Sequence, residues 1–133
     1  MQRERLLRAA FLAGAVTDAL AVIPMLVPPI ARLVWGFDDA GGAYRFAMGY
    51  GASLMAAWTA LLLWARQRPA ERAFVAALTV GVIYGLVATE IAAVLSGAMP
   101  VWRMVPTWVL QAGLLGLFAT AYHYEWIERR ALA

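Results

Sequence analysis

Residues 9–31 read AAFLAGAVTDALAVIPMLVPPIA, and Asp18 is the only acidic or basic residue among them. A second run, residues 73–102, reads AFVAALTVGVIYGLVATEIAAVLSGAMPVW and carries only Glu90. Because a helix rises ~1.5 Å per residue, about 20 apolar residues cross the ~30 Å of hydrocarbon in a bilayer. Both runs are therefore long enough to span a membrane as helices.

The composition of the whole chain indicates the same class of protein. Hydrophobic residues make up 64% of the 133 residues and charged residues 14%, whereas a soluble domain carries about 25% charged residues. Charged residues separate four apolar segments, which we place at 9–29, 46–65, 74–96 and 105–124. Lipid does not tolerate unpaired backbone groups, and the segments lack the alternation of barrel strands. We predict an all-α integral membrane protein, a single domain of four transmembrane helices in an antiparallel up-down bundle.

The distribution of arginine predicts the orientation of this bundle. Three segments that would lie on one side hold most of the arginines, namely Arg3, Arg5, Arg8, Arg66, Arg68, Arg72, Arg129 and Arg130. The opposite side holds only Arg32, Arg45 and Arg103. By the positive-inside rule we expect the cytoplasmic (inner) membrane, with the N- and C-termini cytoplasmic. The net charge of +3 then reflects topology and contact with anionic headgroups, and requires no nucleic-acid partner.

The two isolated acids are the main functional signal. A charged side chain at the centre of a bilayer costs roughly 2.5–3.5 kcal/mol on insertion scales, so retained ones usually have a role. Asp18 is expected near the midplane, with Glu90 and Gln111 at similar depths nearer the external face. We predict a binding or proton-handling site formed by these three residues with Thr17 and Thr89. The alternative is a structural role, in which burial keeps the carboxyl protonated and it only forms a hydrogen bond to a facing helix.

The first external loop, residues 30–45, is the longest polar segment of the chain. Pro28 and Pro29 are expected to end the first helix before it. Asp38, Asp39 and Arg45 form a weaker candidate site, an external vestibule that attracts or binds a cation. A solvated turn with aromatic anchors is the alternative interpretation.

Other kinds of chemistry are poorly supported by the residue types. The chain has no cysteine and one histidine, His123, so we expect neither a metal site nor catalytic residues, and we expect no cofactor. His123 is instead interpreted as part of an interfacial aromatic group. The tyrosines and tryptophans assigned to that role are Tyr122, Tyr124, Trp126, Trp64, Trp102 and Trp108.

These features predict a small inner-membrane transporter or ligand-binding protein whose intramembrane carboxyls handle a proton, a cation or a small polar group. One alternative is a non-catalytic accessory subunit of a larger membrane complex. A second is an intramembrane enzyme acting on a lipid-like substrate, with the two carboxyls as acid and base. The expected partners are the lipid bilayer and either a second copy in a homodimer or another membrane subunit, since four helices enclose little volume.

Overall fold

The computed structural model describes residues 2–38 and 41–131, and the side chains of residues 4–38 and 41–123. Within these residues it contains five α-helices, α1 (Gln2–Leu26), α2 (Pro28–Trp35), α3 (Gly42–Gln67), α4 (Phe74–Leu95) and α5 (Val101–Ala131). Four segments are long and apolar enough to cross a membrane: Glu4–Leu26, Gly42–Gln67, Phe74–Leu95 and Val101–His123. The prediction of an all-α protein with four helices of spanning length is confirmed.

Large apolar side chains cover much of the outer surface of the helices. Leu95 is 82% exposed, Leu33 80%, Phe46 73% and Val109 68%. Water-soluble monomers rarely expose large contiguous apolar surface, because its hydration is unfavourable. The exposed surface and the helix lengths together indicate a membrane-embedded protein.

The short helix α2 was not predicted, and the expectation of a loop from residue 30 is wrong for its first part. The backbone is extended only at Val27 (φ −116°, ψ 94°), after which Pro28 and Pro29 occupy the first turn of α2. Proline suits this position because its missing N–H has no partner there anyway. Gly36 ends the helix with φ 79° and donates its N–H to the Arg32 carbonyl. The two prolines therefore separate one helix from the next.

Three of the four spanning helices are longer than predicted, whereas α4 ends one residue earlier than expected. α1 begins seven residues before the predicted residue 9, and α5 begins at 101 and continues to 131, where 105–124 was expected. Our prediction counted apolar residues only. Arginine and glutamate are good helix formers, so a helix continues into the flanking charged segments.

The most tightly packed part of the molecule lies at the arginine-rich ends of the helices. We call its completely buried side chains the apolar core: they are Leu7, Phe11, Leu62, Val75 and Phe118, with Ala10, Ala65, Ala76 and Ala121. The rings of Phe11 and Phe118 lie 6.0 Å apart. Gly14 permits this packing, because a Cβ there would lie 3.0 Å from Phe118 Cζ and 3.1 Å from Leu62 Cδ1.

Contacts between the helices are unequal. α1 packs extensively on α3 and also on α5, and α4 packs on α5, whereas the consecutive helices α3 and α4 share few contacts. The indole of Trp58 in α3 donates to the hydroxyl of Thr79 in α4 at 3.4 Å. In the turn between these helices, the Arg72 guanidinium donates to the Trp64 carbonyl and lies 3.6 Å from the centre of its ring. These contacts fix α3 and α4 to each other close to their connecting turn.

Arg103 links the end of α2 to the beginning of α5. Its guanidinium donates to the carbonyls of Arg32 (3.2 Å) and Leu33 (3.5 Å), and it lies 4.8 Å from the Trp102 ring. Cationic groups are favourable at the C-terminal end of a helix, where carbonyl groups lack partners. Gly36 leaves the necessary space, because a Cβ there would lie 2.5 Å from Arg103 Nη1.

Candidate functional site

Asp18, Glu90 and Gln111 lie on the inward-facing stripes of their helices. Each stripe follows the three- and four-residue spacing of a helix face, starts in or near the apolar core and continues to a polar side chain. Gln111 is only 7% exposed, and the two acids are partly buried. The stripes consist of Leu7, Phe11, Gly14 and Asp18 in α1, of Ala76, Thr79, Ile83 and Glu90 in α4, and of Phe118, Leu114 and Gln111 in α5.

Glu90 and Gln111 are joined directly across α4 and α5. The Gln111 amide donates from Nε2 to Glu90 Oε1 at 2.8 Å, a distance typical of a strong hydrogen bond. The juxtaposition agrees with the similar depths expected from the sequence. The bond holds the carboxyl in one position and leaves its second oxygen available.

A third residue, Trp108, completes what we call the α4–α5 polar cluster of Glu90, Gln111 and Trp108. Trp108 lies three residues before Gln111 and therefore on the same face of α5, with its indole N–H beside the Glu90 carboxyl. Glu90 Oε2, Gln111 Oε1 and Trp108 Nε1 are each shielded from solvent and have no partner among the described residues.

The α4–α5 polar cluster thus contains two oxygen acceptors and one N–H donor whose bonding capacity is unused. A buried polar group without a partner costs about 1–3 kcal/mol, and native proteins contain few of them. The two oxygens can bind a proton or a cation, and together with the N–H donor they can bind a small polar group. The described residues supply no arginine to Glu90, whose only hydrogen-bonded partner is the neutral Gln111.

Asp18, the other isolated acid, lies on α1, which packs extensively on α3 and also on α5. Among the described residues, none forms a hydrogen bond or an ion pair with its carboxyl, and α1 makes only sparse contact with α4. The structure therefore does not join Asp18 to Glu90. It places Asp18 one turn beyond Gly14, at the edge of the apolar core.

The two predicted threonines bond within their own helices. Thr17 donates to the Ala13 carbonyl at 2.9 Å, and Thr89 donates to the Gly85 carbonyl at 3.0 Å. Such bonds to the preceding turn are common for threonine in helices. Thr89 is exposed, so its hydroxyl lies away from the α4–α5 polar cluster, and neither threonine donates to an acid.

Two of the three predicted vestibule residues, Asp38 and Arg45, lie within the described residues. Asp38 Oδ1 is 3.1 Å from Arg32 Nε, and both side chains are largely exposed. Asp39 lies outside the described residues. The exposed Arg45 lies in the first turn of α3, where its backbone N–H donates to the Gly41 carbonyl at 3.0 Å. The contacts of Asp38 are those of a solvated ion pair, which contributes little to stability.

Sequence reasoning missed Trp108 as a site residue, since it assigned that side chain to the membrane interface. The signal was its three-residue spacing from Gln111, which puts both on the face of α5 that meets Glu90.

In the described part of the chain, no three side chains of histidine, cysteine, aspartate or glutamate are grouped as a metal site would require. No family model, curated protein or solved structure matches this chain.

Proposed function

We propose that the protein is a small membrane transporter or ligand-binding protein in which Glu90 handles a proton, a cation or a small polar group. The supporting observation is the set of three shielded, unpaired polar atoms in the α4–α5 polar cluster. A carboxyl held by one oxygen and free at the other can take up and release a guest without losing its position. Gln111 positions Glu90, and the Trp108 N–H offers a third contact to a polar guest that carries an acceptor.

The topology proposed with this function is an up-down bundle in the cytoplasmic membrane, with both termini on the arginine-rich side. Opposite directions of α1 and α5 are supported by two contacts: Gly14 approaches Phe118, and Arg103 at the beginning of α5 meets carbonyls after α1 has ended. Opposite directions of α1 and α3 are supported by Gly14 beside Leu62 and Gly51 beside Met25. The excess of arginine at one end supports the cytoplasmic assignment.

In this arrangement Asp18 and the α4–α5 polar cluster lie on the same side of the apolar core. Asp18 is four residues beyond Gly14, roughly 6 Å along the axis, and Gln111 is seven residues from Phe118, roughly 10 Å. Because Gln111 is bonded to Glu90, this places Glu90 about one helical turn farther from the apolar core than Asp18. We propose Asp18 as a second station for the same proton or cation, between Glu90 and the apolar core.

Flux measurements on reconstituted protein test this function. Proteoliposomes on a solid-supported membrane are given pulses of protons, sodium, ammonium and guanidinium, and the transported charge is recorded. Wild-type protein is expected to carry a current for at least one of these ions. Glu90→Gln, which keeps the shape and the bond to Gln111 but cannot ionise, is expected to reduce it to that of protein-free liposomes.

Glu71→Gln is the matched control, because it makes the same chemical change at an exposed acid that pairs only with Arg68. It should leave the current unchanged. Asp18→Asn is expected to reduce the current or to shift its pH dependence. Equal currents from wild type, Glu90→Gln and Asp18→Asn would overturn the transport proposal, provided that the variants purify as folded protein.

An association with a second copy or another membrane subunit is proposed from the exposed face of α4. Gly81 and Gly85 have open space where a Cβ would be, and Thr89 on the same stripe is exposed. Small residues let membrane helices approach closely. Mass measurement after purification in mild detergent distinguishes the outcomes. A homodimer fits a self-contained transporter, whereas a stoichiometric foreign subunit would favour the accessory-subunit function.

A further inference from the structure

A cleft of about 450 Å³ opens between α1 and α3 at their arginine-rich ends. Glu90 lies on α4, near the opposite end of the bundle from this cleft. Its described lining consists of Arg8 from α1 and of Leu63, Arg66 and Gln67 from the last turns of α3. Among the described residues, the lining includes two guanidinium groups from different helices and no carboxylate. Its chemistry therefore favours an anion.

The two arginines of the cleft are available to a ligand. Arg66 forms no hydrogen bond or ion pair with another described residue, and Arg8 lies 4.0 Å from Glu4, with both side chains about half exposed. An exposed pair at that distance is weak. The neighbouring arginines differ, since Arg68 pairs with Glu71 at 3.4 Å and Arg72 covers the Trp64 ring.

We propose that this cleft binds the phosphate of an anionic phospholipid headgroup. Guanidinium groups bind phosphate oxygens through two parallel N–H bonds, and the Gln67 amide can add a further donor. Leu63 lies one turn nearer the middle of α3 and is 44% exposed, so it offers an apolar wall to the glycerol and acyl groups. That wall favours a lipid over free phosphate. The site is independent of the function proposed for Glu90.

Titration of fluorescently labelled phosphatidylglycerol into the full chain in nonionic detergent tests the proposal, with phosphatidylcholine as the neutral comparison. A basic residue near a membrane surface strengthens anionic binding about fivefold. Arg8→Gln with Arg66→Gln is therefore expected to weaken phosphatidylglycerol binding about 25-fold. Phosphatidylcholine binding should not change. If the double variant does not fold, each single variant is expected to weaken binding about fivefold.

The matched control is Arg5→Gln with Arg68→Gln, which removes the same charge from the same end without altering the cleft lining. It should change affinity by less than about twofold, since only long-range attraction is lost. Equal losses from the two double variants would overturn the proposal in favour of diffuse surface charge, as would equal wild-type affinity for the two lipids. Displacement of the lipid by millimolar inorganic phosphate would uphold the phosphate chemistry but overturn the lipid source.

Discussion

The strength of the Glu90–Gln111 hydrogen bond can be measured by a double-mutant cycle on unfolding. The cycle compares wild type, Glu90→Leu, Gln111→Leu and the variant with both changes. The bond is 2.8 Å long and partly buried, so each single change leaves one polar partner without its bond and is expected to destabilise by about 1–2 kcal/mol. The expected coupling is about 1 kcal/mol, since interhelical bonds in membrane proteins average ~0.6 and reach ~1.7.

The assay is reversible unfolding by sodium dodecyl sulfate in mixed micelles, followed by circular dichroism. A control cycle on Trp58→Phe and Thr79→Val examines another hydrogen bond between side chains of two helices, whose 3.4 Å length predicts a coupling below about 0.5 kcal/mol. A coupling within about 0.3 kcal/mol of zero for Glu90 and Gln111 would contradict a direct bond between them, because independent sites give that result. A value well above ~1.7 kcal/mol would indicate an ionised carboxyl.

Three further substitutions test the packing and the isolated acid by the same unfolding assay. Gly14→Ala is expected to destabilise by about 1–3 kcal/mol, because its Cβ would press on fully buried neighbours. Gly113→Ala, whose Cβ would lie in open space, should be neutral or stabilise by up to about 1 kcal/mol, and equal effects would contradict the packing. Gly36→Ala should cost about 1–2 kcal/mol, since its φ of 79° is left-handed and its Cβ would displace Arg103; no loss would contradict this contact. Asp18→Leu is expected to stabilise by about 1 kcal/mol or more, because no hydrogen bond is lost, and a clear destabilisation would reveal a structural partner.

The four long helices were predictable because the bilayer imposes a minimum apolar length. Residues 74–96 were expected as a helix and Phe74–Leu95 is observed, since charged residues bound that segment closely on its N-terminal side. The short α2 was missed for a physical reason: proline both stops a preceding helix and suits the first turn of a new one. The sequence signal that favours a new helix over a loop after Pro29 is Gly36, which is in a position to end such a helix.

The candidate site was predictable in part. Depth along a helix follows from counting residues, and counting placed Gln111 level with Glu90. Lateral position depends on which helices pack together, and the sequence did not specify that α4 packs on α5 while α1 packs mainly on α3. The sequence predicted that Asp18, Glu90 and Gln111 converge, and of these three the structure joins Glu90 and Gln111 by a hydrogen bond.

The two acids look equivalent in the sequence, but the structure distinguishes the reasons for keeping them. Replacing Glu90 by an apolar residue would leave the amide of Gln111, which is 7% exposed, without its hydrogen-bond partner. Stability alone therefore favours retaining Glu90. Replacing Asp18 would leave no described residue without a hydrogen-bond partner, and it would remove an energetically costly carboxyl from an apolar helix. Local stability therefore gives no reason to retain Asp18. A proton, a cation or another chain that meets Asp18 would supply that reason, which makes its substitution the more direct test of function.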